Sequence, residues 1–292
     1  MSNNDQAKKL RDIAAKLRMS RFDTRRDSNV KRVAITSGKG GVGKSSFSLN
    51  LGIVLSKMNK KVLLIDADIN LGNIDILLGV VPGKTLRDVV NENAKLEEIL
   101  IKGPEGLTIL PASSGDLELL KKGESVRETI EKQLTELELK FEFILVDTGA
   151  GIGSDVIDFA LNSDEIIVIT TTEPTAFTDA YAVVKTITSE KERSDISIMV
   201  NLVTDEKEAK EVYDRISMVS SHFLQKDVRF CGFMRRDGNV LNAIRNQTPF
   251  FIQNDRTPAS RDIWNIAIEM IKRYKTLKKD NNSESMFGKI LK

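Results

Sequence analysis

Residues 36–46, TSGKGGVGKSS, contain the pattern G-x-x-x-x-G-K-[ST] at positions 38–45. Those residue types at that spacing suit the binding of a polyphosphate. Glycines let the backbone wrap closely around phosphate oxygens. Successive N–H groups, ending at a helix N-terminus, supply partial positive charge. Lys44 is placed to reach β- and γ-phosphates, and the Ser45 hydroxyl to ligate Mg2+. One lysine suffices for such a loop, yet a second, Lys39, follows the first glycine. Two later stretches carry carboxylates beside small residues. LLIDADINLGNID brings Asp66 and Asp68 to the edge of a Gly/Asn loop, and FILVDTGAGIG brings Asp147 before Gly149 and Gly151. Aspartate at a strand end also caps helices. The order of the three stretches gives the pair its weight.

Such residues need a rigid frame, and the chain from residue 30 onward reads as one. VKRVAIT, KVLLIDAD, GLTILPAS, FEFILVDT, DEIIVITT, ISIMVNLV and DVRFCGF are short runs rich in Val, Ile and Phe, the signature of buried strands. Between them lie segments of helical length at 45–58, 129–139, 175–189 and 206–224, and a last helix is expected at about 258–277. This alternation predicts a doubly wound α/β domain, a mostly parallel sheet with helices on both faces. The phosphate loop then follows a strand and opens a helix, the context its chemistry needs.

Composition narrows the class. The chain has 292 residues, 40% of them hydrophobic, enough for one large α/β core with appendages. One cysteine, Cys231, leaves no internal disulfide framework and no cysteine-clustered metal site. The first residues lack an apolar core of signal-peptide length, and no run of about 18 apolar residues is present. Charge is unevenly placed. Residues 1–29 hold eight Lys/Arg against four Asp/Glu, and residues 272–292 hold seven against two. With the whole chain at +2, residues 30–271 carry −7. Basic ends on an acidic body suit an acidic partner or an anionic surface, and also suit plain solvated tails.

The string KGGVGKS resembles the deviant Walker A motif of the MinD/ParA family of ATPases. The resemblance implies a nucleotide-sandwiched homodimer in which Lys39 reaches the partner's phosphates, a lysine counterpart of an arginine finger. It makes Lys39, Lys44 and Asp68 the catalytic candidates, with Asp68 orienting the attacking water. It places Asp66 and Asp147 with Ser45 around Mg2+, Asp147 acting through water. Gly38, Lys39, Gly40, Gly41, Val42, Gly43, Lys44, Ser45 and Ser46 are the candidate contacts to the nucleotide. The guanine-reading motif N-K-x-D is missing, and VNLVTD stands in its place. By resemblance Asn201 contacts adenine, the loop after GFMRRDGNV packs on it, and ATP is the expected nucleotide. Paired-cysteine and tyrosine-cluster branches of the lineage do not fit a chain with one cysteine and, in its tail, only Tyr274.

Both ends carry further signals. DQAKKLR, residues 5–11, resembles the D-Q-A-x-x-L-R motif that opens proteins of the flagellar-number (FlhG) branch. There the appended helix stimulates FlhF, a GTPase of the signal-recognition-particle type. The resemblance assigns the GTPase-completing role to Gln6 and docking contacts to Asp5, Leu10 and Arg11. At the other end, SMFGKILK puts Met286, Phe287, Ile290 and Leu291 on one helical face beside Lys289 and Lys292. Two such short anchors in a dimer could hold a membrane where one could not.

The chain is therefore expected to hold an activator helix at 1–20, a linker at 21–29, an ATPase domain at 30–277, and a linker with a membrane-targeting tail at 278–292. The expected protein is a cytoplasmic dimeric ATP switch with slow turnover. It would associate reversibly with the inner face of the membrane, act on an FlhF-like GTPase and control flagellar number or placement. Nucleic acid is not expected as a partner. The alternatives are a ParA-type partition ATPase that binds DNA non-specifically and a MinD-type division-site regulator.

Overall fold

The computed structural model describes residues 30–68, 72–91, 93–111, 133–134, 136–191 and 194–282, without the side chains of 86, 90 and 276–282. Asp5, Gln6, Leu10 and Arg11 lie outside the described residues, as do Met286, Phe287, Ile290 and Leu291.

Each apolar run forms a strand. They are β1 (Lys31–Ser37), β2 (Val62–Ala67), β4 (Thr108–Leu110), β5 (Phe143–Ala150), β6 (Glu165–Thr170), β7 (Ile196–Val203) and β8 (Arg229–Arg235). A two-residue edge strand, β3 (Ile101–Lys102), is added to them. The sheet order is β3-β4-β2-β5-β1-β6-β7-β8, parallel except where β3 meets β4. This is the expected doubly wound α/β architecture. β1 sits in the middle, between β5 and β6, where the chain's progress across the sheet reverses. Ligands of such sheets bind outside the carboxyl ends of the strands at that reversal, and the phosphate loop leaves β1 there.

Helices cover both faces. On one face α1 (Lys44–Lys57) and α9 (Pro258–Asn282) pack against Val33, Ile35, Phe143 and Leu145. α1 is buried from Phe47 to Ser56, which explains why its sequence shows no polar stripe. On the other face α4 (Ser154–Leu161), α5 (Pro174–Glu190) and α6 (Glu206–Leu224) enclose Ala34, Ile166, Val168 and Ile198. The α6 helix was legible to the residue. α9 runs to Asn282, into the 278–292 segment expected to begin with a linker. Four short helices have too few turns to show a period: α2 (Ile74–Leu78), α3 (Leu86–Val90), α7 (Gly238–Arg245) and α8 (Phe250–Gln253). α7 begins inside the GFMRRDGNV stretch, which was expected to lead into a loop. Asp237 caps it by accepting from Asn239 N at 2.9 Å.

The bottom of the sheet is held by one buried carboxylate. Glu165, the first residue of β6, is 2% exposed. It accepts from Ser197 Oγ at 3.0 Å and faces Arg273 at 3.1 Å, with Lys31 and Arg229 each at 3.6 Å. It thus joins β1, β6, β7, β8 and α9. Burial pushes the nearby Cys231 thiol up to about 12, with the Glu165 charge adding to the effect, so the cysteine is inert at neutral pH. Removing one partner of a buried ion pair leaves uncompensated charge. Glu165→Gln is expected to lose about 2–4 kcal/mol of stability, read by denaturant unfolding. A loss below about 0.5 kcal/mol, the scatter of an ordinary surface change, would contradict this account of the hub.

Candidate phosphate and metal site

The loop between β1 and α1 is shaped by its glycines. Gly41 and Gly43 have φ of 79° and 88°. At Gly43 a Cβ would also stand 2.4 Å from Asn201 Nδ2, so both strain and space require glycine there. No side chain caps α1, and Phe47 N makes the first helical bond to Gly43 O at 3.0 Å. The preceding N–H groups are thus directed at whatever the loop encloses. Ser37 Oγ donates to Lys39 O at 2.9 Å, and Gly151 N donates to Ser37 O at 2.8 Å. The second bond fastens the phosphate loop to the loop that follows Asp147.

Three acidic residues converge on it. Asp147 is fully buried, and its Oδ1 accepts from Lys44 Nζ at 3.1 Å and Ser48 Oγ at 2.8 Å. Its Oδ2 has no hydrogen-bond partner. Asp66 pairs in register with Asp147 across β2 and β5. Its Oδ2 accepts from Asn73 N at 3.0 Å and Ile74 N at 3.1 Å, and its Oδ1 from Asp68 N at 3.2 Å. Asp66 therefore also shapes the loop that carries Asp68. Asp68 Oδ1 lies 3.9 Å from where a Cβ on Gly149 would be, so the two aspartate stretches meet.

Asn201 is drawn inward. Its Nδ2 donates to Val42 O at 2.7 Å and its Oδ1 accepts from Leu202 N at 2.8 Å. The amide braces the phosphate loop. Lys39 is held by a different element, the start of α5. Its side chain is 42% exposed, and its Nζ donates to Glu173 Oε2 at 2.7 Å and Thr175 Oγ1 at 3.2 Å. Ser48 was missed, although it stands one turn after Lys44 on the same face. Glu173 could not have been found, since it lies 134 residues from Lys39 in the chain.

Residues 30–200 match the AAA domain family. The chain is 31% identical over 231 residues to the antiactivator FleN of Pseudomonas aeruginosa, covering 79% of this chain and 82% of that one. It is 39% identical over 192 residues to the flagellum site-determining protein YlxH of Helicobacter pylori, covering 65% and 64%. A chain of the MinC:MinD cell division protein complex of Aquifex aeolicus superposes with a TM-score of 0.66 at 28% identity, over 83% and 96% of the two chains. The chain belongs to the MinD/ParA family of P-loop ATPases. Family membership makes the chain a P-loop ATPase. Among the described residues, no helix is long and apolar enough to cross a membrane.

Burial pushes the Asp66 carboxyl up to about 6, the Asp147 charge adds to this, and the backbone N–H groups of Ile74, Asp68 and Asn73 oppose it. The folded state thus holds the proton more tightly than the unfolded chain. Stability from that proton is fully present below the unfolded value of 3.8 and is lost as pH rises through about 6. Between pH 7.5 and pH 5 the parent is expected to gain about 1 kcal/mol relative to Asp66→Asn. Unfolding curves of both proteins at the two pH values check this. Parallel changes would contradict it.

Proposed function

We propose that the chain is an ATP-dependent dimeric switch that regulates flagellar number or placement. The observation that carries the proposal is the division of labour between two lysines in one loop. Lys44 is buried against Asp147, while Lys39 is half-buried and bonded outside its loop to Glu173. A loop cation that leaves its own loop is suited to a nucleotide held by another subunit. The similarity to FleN and YlxH supports the flagellar setting.

Within one subunit, Lys44 binds the β- and γ-phosphates, helped by the glycine-shaped N–H groups. The Mg2+ site fits the residues present. Asp147 Oδ2 is a buried oxygen without a partner, and Ser45 stands at the first turn of α1. Ser45 and Asp147 would hold the ion, with Asp66 behind them. Bound there, Mg2+ neutralises charge on the phosphate oxygens. Asp68, anchored through its backbone to Asp66, orients the attacking water. Gly149 and Gly151 let the second loop respond to the γ-phosphate. Asn201, with one N–H to spare, reads the base. Turnover is slow, so ATP acts as a timer.

The dimer doubles the tail residues Met286, Phe287, Ile290 and Leu291 at the membrane. It also presents Asp5, Gln6, Leu10 and Arg11 to an FlhF-like GTPase. Lys44→Ala is expected to lose ATP binding. Asp68→Ala should keep it, lose turnover, and accumulate as a dimer on gel filtration. Parent-rate hydrolysis by Asp68→Ala would remove that residue from the mechanism. A peptide of residues 1–20 should stimulate the FlhF GTPase, and deletion of 284–292 should abolish ATP-dependent co-sedimentation with anionic liposomes while sparing ATPase activity. ATP-dependent binding to duplex DNA without lipid binding would return the ParA-type reading.

A further inference from the structure

The contact that holds Lys39 within its own subunit has a consequence for the switch. Glu173 precedes Pro174, the first residue of α5, and stands at the top of β6, next to the strand that feeds the phosphate loop. Its carboxylate accepts from Lys39 Nζ at 2.7 Å, Thr175 Oγ1 adds a second acceptor at 3.2 Å, and the Asp179 charge adds attraction. The arrangement is built tightly. A Cβ on Gly38 would stand 2.2 Å from Asp179 O, so the loop is pressed onto α5 just before Lys39. With the loop fixed there, Lys39 can change partner by side-chain rotation alone. Both ends of the pair are open to water, at 42% and 62% side-chain exposure. A pair of that kind is worth little, which suits a contact made to be broken. The Lys39 cation holds the Glu173 carboxyl below the usual carboxylate range, and Arg236 contributes in the same direction. Glu173 therefore stays charged at neutral pH and keeps a cation nearby when Lys39 leaves.

We propose that Glu173 is a latch that holds Lys39 inside its own subunit and so opposes dimerisation until ATP on the partner outcompetes it. This rests on the reading of Lys39 as a cation supplied in trans and adds its regulation. Glu173 acts through Lys39 and is a positioning residue. An exposed pair reduces the fraction of competent Lys39 by a factor of about three to five. Two latches must open per dimer, so the apparent dissociation constant is raised about tenfold to twenty-fivefold.

The test is Glu173→Gln in the full chain, with dimerisation measured by analytical ultracentrifugation in a non-hydrolysable ATP analogue and ATPase followed across protein concentration. The dimer should tighten about tenfold or more. The protein concentration for half-maximal specific activity should fall by a similar factor. The rate at saturating protein and the affinity for ADP should match the parent. Glu173→Asp, which restores the charge, should return towards parent behaviour. Unchanged or weaker dimerisation by Glu173→Gln overturns the latch. Lys39→Ala separates the two ideas. If it fails to dimerise while Glu173→Gln dimerises no better than the parent, only the latch falls. If Lys39→Ala dimerises like the parent, the reading in trans falls and the latch with it.

Discussion

One buried carboxylate organises the site. Asp147 lies in the middle strand pair of the sheet with no exposure to solvent. A charge so placed is tolerated only with a partner. Lys44 and Ser48 serve one of its oxygens, and the other has no hydrogen-bond partner. Because Lys44 and Ser48 are both on the first turns of α1, the same contact fixes how that helix leaves the phosphate loop. The chain needs β1, β5 and α1 in one arrangement to satisfy this group, and the rest of the nucleotide machinery is hung on them.

Around that point the loops are tied to one another more than to solvent. Asn201 braces Val42 from the end of β7, Gly151 fastens to Ser37, and Asp66 holds the backbone of Asp68, Asn73 and Ile74. On the far side of α1, Asn50 donates to Ser46 O at 2.7 Å and accepts from Phe251 N at 3.0 Å. A change at the first turn of α1 is therefore felt in α8, whose Phe251 stacks on Trp264 of α9 with ring centroids 5.9 Å apart. Coupling of this kind suits a protein that reports which nucleotide it holds.

Much of this was legible before any coordinates. Buried strands of a parallel sheet are nearly continuous apolar runs, so VLLIDA and FILVDTGA announced themselves, and the aspartates at their ends came with them. The glycine pattern fixed the phosphate loop because few backbones other than a phosphate cradle need φ near 80° twice in three residues. What escaped depended on the third dimension. The edge strand Ile101–Lys102 is too short to show alternation. The Glu165 hub joins residues 31, 165, 197, 229 and 273, none near another in sequence. Asn201 was read as a contact to the base; its bond to the phosphate loop, set by how close β7 comes to Gly43, was not foreseen. Lys39 stood out as an extra charge, but its resting partner Glu173 lay beyond any local pattern.

The account turns on whether the second lysine works across a dimer. Mixing Lys39→Ala with Asp68→Ala subunits and measuring ATP turnover tests this most directly. In the mixed dimer the Asp68→Ala subunit lends its lysine to the site of the Lys39→Ala subunit, whose own Asp68 is intact. One complete site then forms from two inactive proteins, and turnover should return well above the sum of the separate proteins. No recovery in the mixture, together with ATP dimers of parent stability from Lys39→Ala alone, would make Lys39 an ordinary loop residue and contradict the account.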